Sequence, residues 1–80
     1  MNRLRDAIAA IYVQVAAPDW AAPNLDALVD VLRDLSWLPE GPVEVAAPVL
    51  DEPDASRLAR ALEQAAAESA DGPRPVLLVQ

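Results

Sequence analysis

Asp26, Asp30 and Asp34 recur at i, i+4 and i+8, so on a helix they stack about 6 Å apart along one face. Around them Leu25, Leu28, Leu32 and Leu35 recur at i, i+3, i+7 and i+10, an apolar stripe suited to a core. Like charges four residues apart disfavour an isolated helix by about 0.2–0.5 kcal/mol per pair. Asp26 in the first turn suits the helix dipole, whereas Asp34 near the C-terminus opposes it. The segment therefore carries a charge pattern that its own folding does not require. A row of carboxylates on one helix points to a cationic partner.

The residue inventory narrows the chemistry further. The chain has 80 residues, a formal charge of −7, and no His, Cys, Lys or Thr. Nucleophilic catalysis lacks its usual bases, and His/Cys zinc sites cannot form. Carboxylate chemistry through Asp26 and Asp30, or through Asp51, Glu52 and Asp54, lacks the platforms a substrate cleft needs, with three aromatics in all. The segment 51–54 has neither the glycine nor the alternating spacing of a calcium loop, and Pro53 beside acidic residues reads as a helix start. We therefore expect no enzyme, no cofactor and no metal. Acidity by itself argues against nucleic acid and anionic membrane as partners, and for a basic protein, a metal or simple solubility. All six cations are Arg, which suggests a GC-rich genome.

One small domain over 1–80 is expected, burying roughly 60–65% of its unfolded surface. Leu4, Ile8, Ile11, Tyr12 and Val15 share a helical face over 3–15, with Asn2 as N-cap, although residues 11–15 also alternate like a strand. Arg3 and Arg5 ahead of an Ala-rich run faintly resemble a secretion signal, which Asp6 interrupts. Pro18 to Pro23 makes a stiff loop, and Asn24 caps the acidic helix over 25–35. Val43–Ala47 reads as a short strand, and Asp51 or Asp54 caps a third helix with Leu58, Ala61, Leu62, Ala65 and Ser69 on one side. Val76–Val79 is uninterrupted apolar sequence, suited to a strand buried on both faces of a parallel sheet. Strand, helix and strand over 43–79 form a βαβ unit. No stretch reaches the ~20 apolar residues of a membrane span.

Pro18-Asp19-Trp20, then Asn24-Leu25-Asp26-Ala27-Leu28, Asp30 and Leu32, resembles the barstar family of intracellular ribonuclease inhibitors. The family pattern is a Pro, an acidic residue, an aromatic pair and Gly, followed by Asn-Leu-Asp-Ala-Leu, a hydrophobe and Asp. The resemblance implies an α/β fold in which a small parallel sheet packs with three helices. It also implies that the acidic helix and the loop before it plug the active site of a basic ribonuclease or ribonuclease toxin. Such an enzyme must hold RNA phosphate with Arg, Lys and His, and carboxylates on a rigid helix can occupy the phosphate positions. Large couplings between interfacial charges are known from this family's own complexes.

Carried over residue by residue, Asp30 matches the central acid that enters the catalytic centre, and Asp26 the neighbouring carboxylate. Trp20 matches an aromatic that lies against the enzyme, and Asn24 and Leu25 match contacts at the helix start. Val29 stands where an aromatic is common. Glu68 aligns with an acidic contact, and Gln64 stands where a second carboxylate often occurs. Asp34 extends the row, and its pattern equally suits a solvated charge. Trp37 reads as packing. The resemblance further implies a cytoplasmic immunity protein or antitoxin of bacterial type.

Departures change the expectations. Ala21 and Ala22 replace the second aromatic and the Gly. The family's first strand precedes the first helix, so the sheet is expected to be reduced to two strands, or completed by residues upstream of Met1. The small helix between the second strand and the last helix is expected to be short or missing. Exposed sheet edges would then favour a weak homo-oligomer. Two other readings stay open. One is a family member that has become a general acidic interaction module. The other is an acyl-carrier-like domain, for which Asp34-Leu35-Ser36 has the wrong order and places Ser36 at a helix end.

Overall fold

A computed structural model describes residues 3–79. The elements are α1 (Arg3–Gln14), α2 (Leu25–Asp34), β1 (Val43–Ala46), α3 (Asp54–Ser69) and β2 (Val76–Val79). β1 and β2 pair in parallel, with Val43 opposite Val76 and Ala46 opposite Val79. Three helices and a two-stranded parallel sheet make the expected α/β, barstar-like fold. No further strand and no helix between β1 and α3 occur among the described residues. The N-cap expected at Asn2 lies outside them. No described helix is long and apolar enough to cross a membrane.

The helices form where the apolar spacing places them. Ile8, Ile11, Leu28, Leu32, Leu35, Leu58 and Leu62 are fully buried together with Val45, and Leu4 and Leu25 are partly buried against this core. Residues 11–14, which alternate like a strand, are helical. The helix wins because Ile8, Ile11, Tyr12 and Val15 then bury a single stripe. α1 ends in a Schellman motif. Ala17 N–H donates to Tyr12 O at 2.9 Å, Ala16 N–H donates to Val13 O at 3.2 Å, and Ala16 adopts φ 52°.

Two expectations need correction. Neither Asp51 nor Asp54 caps α3. Asp54 lies inside the first turn, and Asp51 pairs with Arg3 at 3.3 Å. Glu52, one position ahead of Pro53, reaches forward to accept the Ser56 N–H at 2.8 Å and also the Ser56 hydroxyl. These bonds hold its carboxyl below its ordinary range. The longer side chain of Glu52 spans the distance that Pro53 imposes. Nor is β2 buried on both faces. Val76 is buried, but Leu77, Leu78 and Val79 are 46%, 41% and 39% exposed. With two strands, α3 packs against β2 yet leaves these three side chains half exposed.

Candidate functional site

α2 is held at both ends and along its back. Asn24 Oδ1 accepts the Ala27 N–H at 2.8 Å, as an N-cap does. At the other end Leu35 takes φ 47°, sends its N–H to Val31 O at 3.1 Å, and is itself fully buried. Leu28, Val31 and Leu32 bury the inner side, which turns Asp26, Asp30 and Asp34 to solvent.

The loop before α2 is fixed by buried groups. Tyr12 Oη donates to Ala22 O at 2.6 Å, and burial raises the phenol's pKa, favouring the neutral donor. Ala21 N–H donates to Pro18 O at 3.0 Å, and Asn24 N–H to Ala22 O at 2.9 Å. Trp20 is 67% exposed and meets Trp37 edge-on, with ring centroids 6.3 Å apart. Trp37 is itself anchored, its Nε1–H donating to Val15 O at 2.9 Å. Trp37 therefore packs as expected and also positions Trp20. That role is not visible in the sequence, because the two rings are 17 residues apart.

Arg33 is the residue that sequence reasoning missed. Its Nη2 donates to Asp30 Oδ1 at 2.5 Å, and its Nη1 to Glu68 Oε1 at 3.1 Å. The i, i+3 spacing of Asp30 and Arg33 was a readable signal, whereas the tie to Glu68 exists only through packing. This pair also relieves the repulsion expected within the acidic row. Ser36 donates to Asp34 Oδ2 at 3.1 Å. It sits in the turn after α2, not at a helix N-terminus, which removes the geometry an acyl-carrier serine needs.

The structure gathers the remaining sequence-derived positions along the seam of α2 and α3. Leu25, Asp26, Val29 and Gln64 line one cleft of about 320 Å³, together with Arg57, Arg60 and Ala61. Val29 is only 9% exposed, so it presents a small edge to that cleft from the core side of α2. Glu68 joins the row through Arg33, whereas Trp20 stands apart on Trp37.

A small α/β module that presents Asp26, Asp30 and Asp34 to solvent along one capped, core-anchored helix is thereby defined. The family comparison gives that class its place. The profile of the Barstar (barnase inhibitor) family matches residues 1–79, and the chain belongs to that family of inhibitors. It has no significant match among curated proteins or among solved structures.

Proposed function

We propose that residues 1–80 form one domain that inhibits a small basic ribonuclease by stoichiometric occlusion, without catalysis of its own. The observation that carries this reading is the exposure of Asp26 and Asp30 on a helix whose other side is buried. Rigid carboxylates can take the phosphate positions of a cationic cleft, and the formal charge of −7 steers the encounter. Trp20 supplies a large exposed aromatic in the loop that leads into this helix, of the type that anchors interfaces. A cytoplasmic immunity protein or antitoxin, protecting its cell from a ribonuclease, is the matching biological role. Nucleic acid and anionic membrane are disfavoured partners on charge.

The Asp30–Arg33 pair favours a second reading, an acidic interaction module of this family that no longer inhibits a ribonuclease, because the central carboxylate is already engaged. One titration separates the two. Barnase and the small basic ribonucleases of the source genome are assayed for RNA cleavage as the protein is added. A linear loss of activity to a 1:1 endpoint with at least one enzyme is expected, and undiminished cleavage by all of them defeats inhibition.

A further inference from the structure

Arg57 and Arg60 are left unused by this reading. Both are exposed on α3, and among the described residues neither forms an ion pair, whereas Arg3 and Arg33 do. Both line the cleft whose opposite wall is Leu25, Asp26 and Val29. α2 and α3 run in the same sense along this seam. The start of α2 meets Arg57, Arg60 and Gln64, and Arg33 near its end meets Glu68. Along α3 the seam therefore changes from cationic, through Gln64, to anionic, while α2 beside it is acidic.

A partner that covers Asp26 must also cover these guanidinium groups. Burying a charge without a counter-charge is costly, and a wholly cationic partner surface would add repulsion. A polyanion does not fit either, since its repeating phosphates would meet the acidic row. A single carboxylate set among cations satisfies both walls of the cleft. Two arginines at i, i+3 lie on one helix face about 5–6 Å apart at Cβ and can close on one carboxylate.

We infer that Arg57 and Arg60 form a specificity-determining subsite for a carboxylate of the inhibited ribonuclease, so that the fitting enzyme carries an Asp or Glu at the margin of its basic cleft. This rests on the reading that Asp26 and Asp30 dock in that cleft. Basic ribonucleases lacking the carboxylate are then rejected by stranded charge rather than by shape.

The test uses whichever ribonuclease the wild-type chain inhibits in the titration above. Inhibition constants are compared for the R57A/R60A and R57E/R60E double variants and for Asp30→Ala, with thermal melts confirming that each is folded. R57A/R60A is expected to weaken inhibition about tenfold, and R57E/R60E about a hundredfold or more. Both make the chain more acidic, so steering by net charge alone predicts the opposite sign. Unchanged or tighter inhibition by both double variants, with Asp30→Ala still weakened, overturns the subsite and leaves the inhibitor reading intact. An Asp30→Ala variant as potent as wild type overturns the docking geometry itself. No inhibition of any enzyme removes both.

Discussion

Arg33 ties Asp30 to Glu68 across two helices, so the central carboxylate of the proposed binding face is partly neutralised before a partner arrives. The side chains are 49%, 66% and 35% exposed for Arg33, Asp30 and Glu68. Exposed pairs of this kind contribute about 0–1 kcal/mol, so a desolvated cluster of enzyme cations can outcompete them. In the free protein the same bonds restrict the rotamer of Asp30, which lowers the ordering cost on binding. Asp30→Ala should therefore weaken the enzyme complex by several kcal/mol, the scale known for charge pairs in this family's own complexes. It should change the stability of the free chain by less than about 0.5 kcal/mol. Calorimetric titration beside thermal melts checks both halves. A binding loss no larger than that of Asp51→Ala, whose carboxylate is 89% exposed and pairs with Arg3, would remove Asp30 from the interface.

Helix ends decide how firmly the loop and the acidic helix are presented. Ala16 and Leu35 both occupy the left-handed region after a helix, a conformation that costs a residue with Cβ about 1–2 kcal/mol. Ala16 is exposed, and its replacement by Gly loses nothing from the core. Ala16→Gly should stabilise by about 0.5–1 kcal/mol, read as a Tm higher by a few degrees. Leu35→Gly relieves the same backbone strain but empties a fully buried site, and should destabilise by about 2–4 kcal/mol. Equal destabilisation by the two substitutions would refute this account.

The start of α3 adds a pH dependence. Glu52 titrates below its ordinary value because the charged form is bonded to Ser56. A lowered folded pKa means the contribution is present above the unfolded value, and is lost as pH falls through the folded one. The advantage of wild type over Glu52→Gln should therefore shrink as melts move from neutral pH into acid. A difference that stays constant across that range would deny Glu52 its capping role.

For the whole molecule the open question is the sheet. Val43 N–H donates to Pro75 O, so in this parallel ladder Val43 and Val45 face β2 while Glu44 and Ala46 face outward. The Gln14 amide occupies that outer edge: Nε2–H donates to Ala46 O, and Ala46 N–H donates to Oε1, both at 2.8 Å. α1 thus stands in for a strand at one residue. On β2, the buried Ser69 hydroxyl accepts the Val76 N–H at 2.9 Å. Each edge is blocked at one point, and the charge of Glu44 guards another. Self-association of the wild type should consequently be weak and appear only at high concentration. Gln14→Ala, which frees both backbone groups of Ala46, should shift it to lower concentration in sedimentation runs. A monomeric Gln14→Ala protein at high concentration would show that the edge needs no such guard.

Local spacing was enough to place α1, α2, β1 and β2 within about a residue, while the start of α3 stayed open between Asp51 and Asp54. The motif from Pro18 to Leu32, with the order of the elements around it, was enough for the family. The sequence did not show that Leu77–Val79 would stay half exposed, since burial depends on how many strands flank a strand. Nor did it show that Glu52 would cap α3, that Val29 would face the core, or that Trp37 would carry Trp20. Asp26 with Arg57 and Arg60, and Arg33 with Glu68, meet across two helices more than 30 residues apart in the chain. No local period records such a meeting, and only the packing of α2 against α3 determines which charges are joined and which remain free.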